Sequence, residues 1–159
     1  MTESQYRTWS RSRASPLRLD FYPADHPVHV TIRTHEKHRV FASPDRARLV
    51  FRILRSHERT LAAILMPDHL HWLLDCAEKA ARAVSDFKSL STHLLWDLGF
   101  RGKLWQRSYF DHVIRDSQGL AETVRYVLAN PIRAGLSQHV DEYPWSYDRF
   151  GIGQSTPLP

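Results

Sequence analysis

His69 and His71, one residue apart in MPDHLHWLL, are spaced to chelate a single divalent metal. Side chains two apart converge on one face of a strand, whereas in a helix they diverge by roughly 200°. The pair therefore requires a strand. Two imidazoles also need a third donor, and a reaction needs a nucleophile. A predicted helix capped by Ser117 and stopped by Pro131 offers both, since Glu122, Tyr126 and Asn130 follow at i, i+4 and i+8, opposite an apolar stripe of Leu120, Val124, Val127 and Leu128. The side-chain oxygen of Asn130 can join the two imidazoles around Mg²⁺ or Mn²⁺, leaving positions for a phosphate oxygen. The phenol of Tyr126 can attack that phosphate and form a phosphotyrosine bond. A free phenol has a pKa of about 10, so the metal or a nearby base has to activate it. The bland alternatives are two satisfied structural histidines and a tyrosine buried by packing.

The elements that must position these groups follow from periodicity. HVTIRT (29–34) reads as a strand. LAAILMPDHLHWLLD splits at Pro67-Asp68 into two runs of a hairpin, the second placing His69, His71, Leu73 and Asp75 on one face and Leu70, Trp72 and Leu74 on the other. Ser43-Pro44 opens a helix to about Arg59, with Leu49, Val50, Ile53 and Leu54 inward and Arg48, Arg52, Arg55 and Arg59 outward. Apolar residues at three and four from Ala80 to Leu98 predict a second helix over about 78–98. WQRSYFDHVIR reads as one or two short strands ahead of the helix that carries Tyr126.

A length of 159 residues and a 42% hydrophobic content suit one domain with its own core. We expect a basic N-terminal arm at 1–20, a single catalytic domain at 21–150 and a tail at 151–159. The arm carries Arg7, Arg11, Arg13 and Arg18 among too few apolar residues to pack, and is expected to be flexible. Only Cys76 is present, which excludes an internal disulfide and a cysteine-rich zinc cluster. No apolar run approaches the roughly 20 residues of a membrane helix, and no signal peptide is evident, so a cytoplasmic protein is expected. A net charge of +5 and a pI near 9.7 favour a polyanionic partner.

HLH, LWQRSYFDHVIRD, RYVLANPIRAGL and EYPWS, taken together over about residues 26–150, resemble the REP-associated tyrosine transposases, relatives of the small single-tyrosine insertion-sequence transposases with a His-hydrophobic-His motif. The resemblance implies an α+β fold, with a ferredoxin-like or RRM-like antiparallel sheet, helices packed on one face and the metal site on the other. It implies His69, His71 and Asn130 as ligands and Tyr126 as nucleophile. The implied substrate is single-stranded DNA beside an imperfect hairpin of repetitive extragenic palindromes, cut to a 5′-phosphotyrosine and a free 3′-hydroxyl. Tyr109, Tyr143 and Tyr147 are competing nucleophiles ranked behind Tyr126.

DNA contacts are expected from Arg48, Arg52, Arg55 and Arg59, and from Arg82 and Lys88 on the second helix, although each could be solvated. Trp105 is assigned to packing and Gln106 to a local hydrogen bond. His93, His112 and His139 have no matched spacing. A domesticated palindrome-binding protein without cleavage activity and a hydrolytic metallonuclease are the alternative readings. A monomer is favoured over a dimer.

Overall fold

Alternation in VHVTIR and HLHWLL sets the architecture, because each strand sends its apolar and polar residues to opposite faces. The computed structural model describes residues 10–12 and 26–151. Within them β1 (Ser10–Ser12), β2 (Val28–Arg33), β3 (Thr60–Leu65), β4 (His69–Leu74), β5 (Tyr109–Val113) and β6 (Ser146–Asp148) form one sheet. Its order is β1-β5-β2-β4-β3-β6, every neighbouring pair antiparallel. The expected α+β antiparallel fold is what the chain adopts.

Helices α1 (Pro44–Ser56) and α2 (Ala77–Asp97) cover one face of the sheet. There Val28, Val30 and Ile32 of β2, Ala63 and Leu65 of β3, and Leu70, Trp72 and Leu74 of β4 meet Val50, Leu54, Val84 and Phe87 in the main core. Aromatic rings knit this layer together, with Trp72, Phe87, Trp105 and Phe41 at successive centroid spacings of 5.3, 5.5 and 5.3 Å. Trp105 thus packs, as expected, and its indole donates to Ser91 Oγ at 2.9 Å.

A second, smaller core lies on the opposite face. Helix α3 (Ser117–Leu128) lays Val124, Val127 and Leu128 on Leu61, Ala62, Ile64 and Leu73. Strands β3 and β4 are consequently covered on both faces, which is why β3 reads as the unbroken apolar run TLAAIL. The short helix α4 (Asn130–Arg133) follows directly, with Pro131 near its start. Pro131 therefore opens a new turn as well as ending α3.

Three local expectations change. The cap of α3 is Asp116, whose carboxylate accepts from Gly119 N at 2.7 Å, so Ser117 becomes the first helical residue. Helix α1 stops at Ser56, which takes Arg59 off its stripe. Of the N-terminal arm, Ser10–Ser12 is an edge strand paired with β5; the rest of residues 1–20, and 152–159 of the tail, lie outside the described residues.

Where β3 begins, the hydroxyl of Thr60 links the layers. It donates to Leu54 O at the end of α1 (2.7 Å) and accepts from Trp72 Nε1 (2.8 Å), in a fully buried position. Thr60→Val keeps the shape but orphans a buried indole N–H and a carbonyl. Urea unfolding should show a loss of about 2 kcal/mol, and a change within error would refute this linking role.

Candidate active site

The face bearing α3 also receives the odd-numbered residues of β2 and β4. Arg33 pairs with His69, Thr31 with His71 and His29 with Leu73 across the two central strands. His69 and His71 thus share one face, as their spacing required, with ring centroids 5.0 Å apart.

Each imidazole has its Nδ1 occupied by a neighbour. His69 Nδ1 donates to Asp68 Oδ1 at 2.6 Å. The Nδ1 of His71 lies 3.0 Å from His29 Nε2 and 3.1 Å from Thr31 Oγ1, both able to accept. With Nδ1 turned toward these neighbours, each ring directs its Nε2 away from them. Ligating histidines are commonly held in this way, by an acceptor on the far nitrogen. Burial, followed by the nearby His29, His69, Arg133 and Arg33, holds the pKa of His71 well below the usual histidine range, so the ring is neutral, the form in which histidine ligates a metal.

Tyr126 is half-buried and packs against the second core, nearer the apolar stripe of α3 than the helical wheel predicted. The difference is physical: α3 sits on a sheet face wide enough to reach the flank of the helix as well as its centre. Arg133 of α4 lies over the Tyr126 ring at 4.1 Å and donates from Nη2 to Tyr126 O at 3.0 Å. Tyr126 packs on the core that holds Leu73 of β4, so its helix and the histidines share one face of the sheet. Asn130 donates through Nδ2 to the carbonyls of Val127 (2.9 Å) and Tyr126 (3.3 Å), which orients its side chain at the end of α3 with Oδ1 still an acceptor.

This donor set fits a divalent ion of borderline character, through two imidazole nitrogens and one amide oxygen. Among the described residues no group of three His, Cys, Asp or Glu could hold a metal.

The competing tyrosines lie in other settings. Burial pushes the Tyr109 phenol up to about 12. Tyr143 is raised likewise to about 12, and its hydroxyl donates to Leu65 O at 2.8 Å. Tyr147 lies on β6 with Arg55 5.9 Å from its ring centroid.

The expected DNA contacts divide. Arg48, Arg52 and Arg55 are exposed on α1, hence across the sheet from the histidines, and Arg48 pairs with Asp45 at 3.3 Å. Arg59 pairs with Asp75 at 3.2 Å and Arg82 with Asp86 at 2.7 Å. The stripe is therefore not free of acids. Lys88 is turned inward, donating to the carbonyls of Gln106, Arg107 and Ser108, with burial lowering its pKa to about 8. It pins the loop before β5 and is not presented to solvent as a phosphate contact. Gln106 donates its backbone N–H to Arg33 O at 2.9 Å.

His29, Thr31, Asp68 and Arg133 were not foreseen as site residues. His29 and Thr31 stand in phase with His71 only once the β2–β4 register is known. The acid beside His69 was visible as the dipeptide Asp68-His69. Nothing in the sequence marked Arg133 apart from the other arginines.

An antiparallel sheet carrying a His-x-His strand on the face of a tyrosine-bearing helix defines the class. The family described as Transposase IS200 like matches residues 24–130, and the chain belongs to it. A REP-associated tyrosine transposase of Escherichia coli (strain K12) is 24% identical over 85 residues, 54% of this chain and 51% of its own. A Haemophilus influenzae protein named for the same group is 27% identical over 100 residues, 55% of this chain and 57% of its own. The chain thus matches about half the length of these relatives. The solved structure of a REP-associated tyrosine transposase bound to a REP hairpin shares the fold, with TM-score 0.62 and 20% identity over 79% of this chain and 78% of that one. No helix among the described residues is long and apolar enough to cross a membrane.

Fully buried His29 makes a pH test possible. It takes up a proton near 6.5 when unfolded but only at about 3 when folded, chiefly because burial penalises the charged ring. The unfolded state binds more protons between those values, so stability is unaffected above 6.5 and falls as pH drops toward 3. In EDTA, urea unfolding should lose about 2 kcal/mol between pH 7.5 and 5.0 for each such histidine. His29→Gln should flatten the profile, and equal slopes for both proteins would refute the assignment.

Proposed function

We propose that this chain is a metal-dependent endonuclease and strand transferase, acting on single-stranded DNA at palindromic or hairpin sequences through a covalent 5′-phosphotyrosine. The observation that supports the reading is that the helix bearing Tyr126 packs on the sheet face that carries His69 and His71, with Arg133 over the tyrosine ring.

His69 Nε2, His71 Nε2 and Asn130 Oδ1 would hold a divalent ion, Mg²⁺ or Mn²⁺. When bound, that ion supplies Lewis acidity to a phosphate oxygen. Asp68, Thr31 and His29 orient the two rings, and α3 fixes the phenol beside them. Tyr126 Oη forms a bond to phosphorus while the P–O3′ bond breaks. The phenolic proton leaves to solvent and the departing 3′ oxygen takes one up, giving a free 3′-hydroxyl. One phosphate ester replaces another, so a hydroxyl can later displace the tyrosine without nucleotide fuel.

A hairpin of repetitive extragenic palindrome type is the substrate to try first, since the similar solved structure carries one. The exposed arginines of α1 supply backbone contacts on the other side of the sheet, where a duplex stem would lie away from the reacting strand.

The deciding experiment uses hairpin DNA with a single-stranded flank, labelled at its 3′ end, with Mn²⁺ or Mg²⁺. The wild-type chain should give a labelled protein adduct, and both EDTA and Tyr126→Phe, which lacks the attacking oxygen, should abolish it. His69→Ala and His71→Ala should weaken Mn²⁺ binding in calorimetry. An adduct from Tyr126→Phe would refute the nucleophile. Salt-sensitive hairpin binding without an adduct would point to a non-cutting binder, and cleavage without an adduct to attack by water.

A further inference from the structure

We propose that Arg133 is a catalytic residue of this site: its guanidinium holds the Tyr126 ring and donates to a non-bridging oxygen of the phosphate that Tyr126 attacks. The inference rests on the tyrosine-transfer reading above and adds to it a group that binds the developing charge.

Two features of Arg133 bear on this role. It is an exposed cation with no acidic partner among the described residues, whereas Arg48, Arg59 and Arg82 each pair with a carboxylate. It lies 4.1 Å from the ring centroid of Tyr126 and binds that residue's own carbonyl at 3.0 Å.

These features leave its chemistry open toward an anion. An arginine uses its planar face to stack and its edge to hydrogen-bond, so contact with the ring does not consume the donors. Five N–H groups are available and one is engaged by Tyr126 O. A charge-assisted hydrogen bond to a phosphate oxygen is stronger than an exposed cation–π contact and uses a different part of the guanidinium. A phosphate can therefore recruit the remaining donors while the ring contact persists. As Tyr126 Oη approaches phosphorus, negative charge builds on the non-bridging oxygens, where a fixed donor is most effective.

The bland role of Arg133 is to cap α3, since Tyr126 O is among the last carbonyls of that helix. Arg133→Gln separates the two roles, because a carboxamide can still donate to that carbonyl but brings no positive charge. Rates are read as adduct formation in a single turnover, at saturating 3′-labelled hairpin DNA with Mn²⁺, alongside thermal melting. Arg133→Gln and Arg133→Ala should both be slower by about 100-fold. The melting of Arg133→Gln should stay close to wild type, and millimolar methylguanidinium should restore Arg133→Ala by about tenfold. A wild-type adduct that Arg133→Gln leaves within about threefold would overturn the inference alone. So would a loss confined to DNA affinity, or an Arg133→Ala rate that methylguanidinium leaves unchanged. No adduct from the wild-type chain would overturn the transfer reading, and this inference with it.

Discussion

Strand β4 has to satisfy two demands with one register. Leu70, Trp72 and Leu74 fill the main core beneath α1 and α2, and the intervening His69 and His71 stand on the other face. A slip of one residue would drive two imidazoles into the apolar layer and expose a tryptophan, so the hydrophobic cost of misregister also protects the geometry of the histidines. The hairpin turn at Pro67-Asp68 and the paired neighbours β2 and β3 fix that register from both sides.

The histidine face pays a corresponding cost. His29, Thr31 and His71 are buried polar side chains beside a small apolar core. Their mutual hydrogen bonds offset the loss of water, and keeping the rings neutral avoids the larger penalty of a buried charge. The same bonds fix which nitrogen of His71 faces outward. Stability and site geometry are thus carried by one small network, at the centre of the sheet where the backbone is held on both sides.

Cations are distributed unequally over the two faces. Arg48, Arg52 and Arg55 lie on the outside of α1, behind the main core, while Arg33 stands opposite His69 and Arg133 lies over the Tyr126 ring. The sheet separates them, so the α1 arginines cannot touch a phosphate held at the histidine pair. They are suited to a different part of the same polyanion. Lys88 differs from these arginines in that three backbone carbonyls hold its ammonium.

Much of this was legible in the chain. Period-two alternation located β2 and β4, the Pro-Asp turn located the hairpin, and three- and four-residue spacing located α1, α2 and α3 to within a few residues. The His-x-His pair announced its own shared face, because that follows from strand geometry alone. Helix ends were less accurate, since Asp116 outcompetes Ser117 as a cap through a bond that only the folded turn reveals. What tertiary structure alone decided was the company each residue keeps. His29 is 42 positions from His71 and becomes its hydrogen-bond partner through strand pairing. Arg133 reaches Tyr126 because α4 turns back beside the end of α3, and Lys88 turns inward because a distant loop supplies acceptors. Local periodicity specifies which way a side chain faces; long-range pairing specifies what it meets, and charge pairing and tautomers depend on the latter.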